Sequence, residues 1–459
     1  MSRNICKENR LDRKYLYIQT FGCQMNVNDS DKIVTLLTEE GYETTDDAEY
    51  ADLILLNTCS IREKAAQKAF SQLGRFRMLK ERKPDLILAV GGCLAQQWGQ
   101  KILARAPYLN VVFGTHNIHR LPEFIRRVEK SRSPVVETDF QQPVKSLGIT
   151  AVPANGAVSA YVTIMQGCNN FCAYCVVPHV RGREESRPAD DIIAEVKKLA
   201  DHGVVEITLL GQNVNSFGRT ISGSPGFPDL LRAIEKIKGI ERIRFTTSHP
   251  KDLSEDLMRC FAEVEALCDH IHLPVQSGSD EILRRMNRGY TRDQYLEKIE
   301  GLRHFRPEIS ITSDVIVGFP GETEEDYRAT LALMEAVQFD NLFSFKYSER
   351  ESTAAVGFEH QVPEKIKSER LQQLQVLQEK YTLERNRILE GRAVDVLVEG
   401  KSKNSDKDMT GRTRSNKIVN FRGGRDLAHK TCSVLIKKAH LHSLRGEMAE
   451  GAEAPCSSK

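Results

Sequence analysis

YVTIMQGCNNFCAYC, Tyr161 to Cys175, sets the reading of the chain's centre. Tyr161–Gln166 reads as a strand. Three cysteines follow it, Cys168, Cys172 and Cys175, with the spacing C-x3-C-x2-C. Downstream the pattern repeats without the cysteines. EITLL (206–210), RIRFTT (242–247), HIHLPV (270–275), SDVIVGF (313–319) and LFSFKY (342–347) are further strand candidates. Helical stretches such as ADDIIAEVKKLADHG (189–203) and TRDQYLEKIEGLRHF (291–305) separate them. Strand alternating with helix predicts a parallel sheet. Six units predict a partial (β/α)6 barrel, since a full eight-unit barrel needs ~250 residues.

An alternating α/β block also precedes this centre. YLYIQTFGC (15–23), ADLILLNTC (51–59) and DLILAVGGC (85–93) each read as a buried strand ending in a cysteine. Ligands of such sheets bind beyond the carboxyl ends of the strands. Cys23, Cys59 and Cys93, 36 and 34 residues apart, are therefore expected to gather there. The expected domains are 14–130 (cluster-binding α/β), 131–153 (a Pro- and Gly-bearing linker) and 154–385 (the barrel). They are followed by 386–448, a small antiparallel β-barrel, and a disordered tail at 449–459. A long polar helix within 363–391 leads into the β-barrel, whose strands are RAVDVLVEG, MTGRTRSNKIVNF and TCSVLIKKAH.

Composition narrows the function classes. The 459 residues carry a net charge of only +2. Residues 386–445, however, hold 14 Lys and Arg against 6 Asp and Glu, a local balance of +8. A basic terminal module suggests a polyanionic partner. No apolar run is long enough to span a bilayer, and the charged N-terminus has no secretory h-region. The expectation is a soluble cytoplasmic protein with no membrane partner. Its 11 cysteines then point to metal or redox chemistry rather than disulfides. Cys6, Cys260, Cys268, Cys432 and Cys456 have no such placement and read as packing or surface residues.

Three thiolates at one site allow two readings. A structural zinc centre takes four protein ligands. His179 could complete a Cys3His set with Cys168, Cys172 and Cys175, giving a non-catalytic RNA-binding metalloprotein. Alternatively the three hold a [4Fe–4S] cluster with one iron left open. That iron could bind the amino and carboxylate groups of S-adenosylmethionine, whose reductive cleavage gives a 5′-deoxyadenosyl radical.

CNNFCAYC, the cysteine-bearing α/β block and the small basic barrel together resemble the methylthiotransferase family of radical S-adenosylmethionine enzymes. The resemblance covers roughly residues 14–446, and the barrel resembles the TRAM module, an RNA-binding fold. It implies a [4Fe–4S] cluster at Cys168, Cys172 and Cys175 and a second, auxiliary one at Cys23, Cys59 and Cys93. Tyr174, Gly211 and Gln212 match cofactor-binding positions. Arg181, Arg183 and Arg187 are candidate contacts to phosphate or to the cofactor carboxylate. No side chain is assigned as catalytic, because the cofactor carries the radical chemistry. FGCQMN, RGREESR, TTSHP, HLPVQSGS, MNRGYT and SDVIVGFPGET resemble the branch that acts on isopentenylated adenosine 37 of tRNA. For that branch the resemblance implies two molecules of S-adenosylmethionine per product. The further expectations are an unidentified electron donor and a monomeric chain. Other branches act on threonylcarbamoyl-adenosine or a ribosomal protein. Two departures stand out: His179-Val180 where the branch has Tyr-Thr, and Ser352 where it has glycine.

Overall fold

The computed structural model describes residues 13–60, 63–151, 156–403 and 405–449. Cys6, Cys456 and the tail from 450 onward lie outside the described residues. The described residues form two compact units. One takes those within Met1–Pro153, Tyr161–Asn169 and Val176–Arg187; the other takes those within Ala154–Ala160, Asn170–Cys175 and Pro188–Lys459.

The first unit is built on a six-stranded parallel sheet. Along the chain run β1 (Lys14–Phe21), α1 (Gln24–Glu39), β2 (Tyr42–Thr44), β3 (Leu53–Thr58), α2 (Glu63–Arg82) and β4 (Ile87–Gly92). Then come α3 (Cys93–Trp98), α4 (Gln100–Arg105), β5 (Val111–Phe113), α5 (Leu121–Ser131) and β6 (Val135–Glu137). The strand order is β2-β1-β3-β4-β5-β6. Strand alternation sorts the side chains onto two faces. Leu53 and Leu55 pack with Ile33 and Leu37 of α1 and Phe124 of α5. Ile54 and Leu56 pack with Leu73 and Phe76 of α2 and Leu94 of α3. Both faces of the sheet are thus covered, which is why its strands read as continuous apolar runs.

The expected linker is only partly one. Val135–Glu137 is the sixth strand, and Val144, Ser146, Leu147 and Ala151 are buried. A three-residue strand is too short to show a period, so no pattern marks it in the sequence. This unit also holds part of β7 (Ser159–Thr163), β8 (Met165–Gln166), α6 (Val177–Arg181) and β9 (Glu185–Ser186). β8 and β9 pair antiparallel and close the base of the loop bearing the three central cysteines.

In the second unit the expected strands recur as β10 (Glu206–Leu210), β11 (Arg242–Phe245), β12 (His270–His272), β13 (Ser310–Val317) and β14 (Asn341–Lys346). Between them lie α7 (Ala189–Asp201), α8 (Phe227–Glu235), α9 (Glu255–Glu263), α10 (Asp280–Arg285), α11 (Arg292–Phe305) and α12 (Glu324–Val337). β10 pairs with β11 and β13 with both β12 and β14, all in parallel. α13 (Glu364–Arg387) leads to a closed barrel in the order β15-β16-β17-β19-β18. Its strands are β15 (Ala393–Lys401), β16 (Asp408–Thr413), β17 (Ile418–Arg422), β18 (Thr431–Ala439) and β19 (Leu444–Met448).

The barrel belongs to the same compact unit as the block before it. The buried Arg244 donates to the Thr413 carbonyl at 2.8 Å and the Arg414 carbonyl at 3.0 Å, while pairing with Glu206 at 2.9 Å. Arg242 reaches the Arg412 carbonyl at 2.8 Å. Arg414 returns the contact to the Leu267 carbonyl at 2.7 Å.

Candidate metal centres

The strand register explains how three distant cysteines meet. Phe21 of β1 pairs with Thr58 of β3, and Thr58 pairs with Gly92 of β4. Cys23, Cys59 and Cys93 follow within two residues of those positions, so they stand side by side at the carboxyl edge. The chain reverses direction across the sheet between β1 and β3, and at such a switch point a crevice opens. Gly92 makes the placement of Cys93 possible. Its φ is 90°, and a Cβ there would lie 2.5 Å from the Thr58 carbonyl oxygen. The Cys59 amide, in turn, donates to the Phe21 carbonyl at 2.7 Å.

The surroundings favour the thiolate at Cys23. A hydrogen bond from Cys59, aided by the nearby Arg181 charge, draws Cys23 down to about 6 against the opposing effect of burial. Burial pushes Cys93 up, and Arg181 opposes it by charge and hydrogen bond. Ser60, next to Cys59, has a buried hydroxyl without a hydrogen-bond partner. Three cysteines at one sheet edge, a cation and an unspent hydroxyl fit an anionic iron–sulfur cluster. His179, which a Cys3His zinc centre would need beside the three central cysteines, is exposed.

Residues 170–175 of the central motif are held by the second unit. The Ala173 amide donates to the Met286 carbonyl at 2.9 Å, and the Ala355 amide to the Ala173 carbonyl at 2.9 Å. Asn287 donates to the carbonyls of Asn170 and Phe171. Arg288, itself buried, donates to the Cys172 sulfur at 3.4 Å, to the Tyr174 hydroxyl at 3.3 Å and to the Pro274 carbonyl at 2.6 Å. His249 Nε2 stands 4.0 Å from the Cys172 sulfur. Burial, then Arg288 and Lys251, push His249 down to about 2, so it is a neutral neighbour.

The carboxyl ends of β10 and β11 supply a set of unspent acceptors. Asn213 Oδ1, Asn215 Oδ1 and the Ser248 hydroxyl are buried and unpartnered. Buried polar atoms in native proteins are nearly always paired, so this end of the block fits a ligand rich in donors, such as an ammonium and ribose hydroxyls. Gly211 and Gln212 follow β10 at the same end, one buried and the other half-buried. Thr247 and Gln276 hold left-handed backbone there, with φ of 70° and 77°, and such strain clusters at functional sites.

The three candidate arginines separate. Arg181 is buried in an ion pair with Asp29, 2.5 Å apart. Arg187 is buried and donates to the Thr163 carbonyl at 2.8 Å. Neither is a surface group for phosphate, while Arg183 is exposed. Cys260, Cys268 and Cys432 are buried packing residues. Sequence reasoning missed Asp29, Asn213, Asn215, Ser248, His249 and Arg288. All but Asp29 lie just beyond strands or short helices, Asn215 in the single 3-10 turn Val214–Ser216, a position that was visible but too common to single them out.

Fold and site define a radical S-adenosylmethionine enzyme carrying an RNA-binding module. Residues 162–334 match the Radical SAM superfamily, residues 15–114 the Uncharacterized protein family UPF0004, and residues 387–449 the TRAM domain. Use of an iron–sulfur cluster and S-adenosylmethionine goes with that class. The chain belongs to the family of tRNA-2-methylthio-N(6)-dimethylallyladenosine synthases. A protein of that name from Syntrophus aciditrophicus is 64% identical over 439 residues, covering 96% of this chain and 95% of that one. Those from Geobacter sulfurreducens and Clostridium perfringens are 54% and 46% identical, each over at least 95% of this chain and 98% of theirs. Among solved structures, TsrM from Kitasatospora setae, a radical S-adenosylmethionine methyltransferase with cobalamin and a [4Fe–4S] cluster bound, superposes with a TM-score of 0.56 at 15% identity. That alignment covers 75% of this chain and 77% of TsrM, and at such identity it speaks for the fold alone. Among the described residues no helix is long and apolar enough to cross a membrane.

Proposed function

We propose that this enzyme places a methylthio group on carbon 2 of N(6)-isopentenyladenosine at position 37 of tRNA, using two [4Fe–4S] clusters. The observation that carries the reading is the level alignment of Cys23, Cys59 and Cys93 at one sheet edge, in a chain that separately bears the Cys168, Cys172, Cys175 motif. Each set has three thiolates, so each leaves one iron without a protein ligand.

When bound, the central cluster and S-adenosylmethionine supply the hydrogen-abstracting radical, and the auxiliary cluster supplies the sulfur that a second S-adenosylmethionine methylates. The protein's own residues bind and orient. Cys168, Cys172 and Cys175 hold the central cluster, and Arg288 fixes Cys172 and Tyr174 relative to the Pro274 carbonyl. Asn213, Asn215 and Ser248 offer acceptors to the cofactor's donors. The basic barrel engages phosphates of the anticodon stem. The target base enters unstacked, since its carbon 2 must reach the radical. Electrons come from a separate donor.

The test is anaerobic reconstitution with iron and sulfide, followed by assay on tRNA bearing isopentenyladenosine, threonylcarbamoyl-adenosine or unmodified adenosine at position 37. Methylthiolation of the first substrate alone is expected. Product from either of the others instead would overturn the substrate assignment.

A further inference from the structure

Arg181 does not behave as a surface cation. It ends α6, only six residues after Cys175 in sequence, yet it is 2% exposed. Its backbone is clamped on both sides of the last peptide: Thr115 Oγ1 donates to the Val180 carbonyl at 2.7 Å, and His116 Nε2 meets the Arg181 carbonyl at 2.9 Å. Val176 and Val180 pack directly on Cys93. The guanidinium is therefore carried to a fixed place, with Asp29 on one side at 2.5 Å and Gln166 Oε1 at 3.5 Å. Because Val180, its neighbour, packs on Cys93, the guanidinium is held near this cysteine edge, and its charge favours the thiolates of Cys93 and Cys23.

Burying two full charges is costly, and an isolated buried pair is often no better than well-packed apolar side chains. What the arrangement gains is direction. At Cys93 the positive end of the pair outweighs the negative one, since Arg181 acts there more strongly than Asp29 does. Three thiolates on a [4Fe–4S]2+ core leave a net charge of about −1, and either reduction or an anionic fourth ligand adds one more negative charge. Nearby charge and hydrogen bonds to sulfur are the levers by which a protein tunes such a cluster.

Resting on the cluster assignment proposed above, we propose that Arg181, oriented by Asp29, is the positioning residue that makes the auxiliary site accept an anionic sulfur ligand, a hydrosulfide or an alkylthiolate, at its open iron. It acts through Cys93 and through the field it casts on the cluster. The same field raises the cluster's midpoint potential. Binding of an alkylthiol there releases its proton to solvent and forms one iron–sulfur bond, with no change of oxidation state.

The experiment uses the full chain with Cys168, Cys172 and Cys175 replaced by Ala, so that only the auxiliary cluster contributes signal. Iron content is measured first. Redox titration followed by electron paramagnetic resonance then gives the midpoint, and titration with methanethiol gives the affinity. Arg181→Gln should lower the midpoint and weaken methanethiol binding roughly tenfold. Asp29→Asn should move both in the opposite direction, because it removes the opposing negative charge. Arg181→Lys, which keeps the charge, should stay nearer the parent than Arg181→Gln does. A merely structural pair gives no reason for opposite signs, so shifts of the same sign, or none, overturn the inference. If Arg181→Gln fails to hold iron, Asp29→Asn decides alone: a higher midpoint supports the inference, and an unchanged or lower one overturns it. A parent without iron shows instead that the cluster assignment has failed, and this inference falls with it.

Discussion

Ser352 is exposed and sits at a φ of 74°. The left-handed region costs an L-residue about 1–2 kcal/mol, which explains why glycine suits the position. Ser352→Gly removes that strain but gives the unfolded chain about 0.4–1 kcal/mol more entropy to lose. The net expectation is a gain of up to about 1 kcal/mol, read as a thermal midpoint higher by a few degrees; a lower midpoint would refute the strain account. Gly92 gives the converse case. Ala there would place a Cβ 2.4 Å from Asn57 Oδ1 at an unfavourable φ of 90°. Gly92→Ala should displace Cys93 and leave about four of about eight irons after reconstitution, with formation of 5′-deoxyadenosine retained. Full iron in that variant would separate Gly92 from the cluster. At this scale the sequence was legible where chemistry is rare, as in cysteines at strand ends. It was silent on Asp29 and on the burial of Arg181, because an arginine two residues from Arg183 and three from Glu184 looks like any solvated one. Only the clamp by Thr115 and His116, residues more than 60 positions away, turns it inward.

At the scale of elements, the β-barrel's attachment rests on a few guanidiniums. Arg244 satisfies two barrel carbonyls and the buried Glu206 at once. Removing one partner of a buried pair costs about 3–5 kcal/mol. Arg244→Met should therefore destabilise by about that much in urea and speed proteolysis near residues 388–392. Arg244→Met combined with Glu206→Met should cost less, because no buried charge is left alone; an equal or greater cost would refute the buried-pair explanation. Long alternating segments announced their own elements: the three strands before Cys23, Cys59 and Cys93 and the polar helix α13 all form. Some short ones did not. β6 and β19 span only three and five residues, and MTGRTRSNKIVNF folds as two strands around a turn at Asn416, whose φ is 63°. Such elements exist because neighbours complete them, and a neighbour across a sheet leaves no period in the local sequence.

At the scale of the molecule, the charge of the C-terminal segment overstates its grip on RNA. Of its 14 cations, at least seven are already in ion pairs: Arg392, Lys401, Arg412, Arg414, Lys417, Lys437 and Arg445. Each phosphate neutralised adds about 0.7–0.9 to the slope of log affinity against log salt. Ending the chain after α13 should flatten that slope by no more than about six, well short of what 14 cations would give; a loss near ten would show that the paired groups are recruited. The arrangement of domains was legible because each carries its own motif, whereas the grouping of Tyr161–Asn169 and Val176–Arg187 with the N-terminal unit was not, since contacts rather than patterns decide it.

The central claim is that two separate sets of three cysteines divide the reaction between them. It is tested most directly by replacing Cys23, Cys59 and Cys93 with Ala, reconstituting the protein anaerobically, and following two products with isopentenylated tRNA. The account predicts continued formation of 5′-deoxyadenosine with no methylthiolated adenosine. A folded triple variant that still yields methylthiolated adenosine would contradict it.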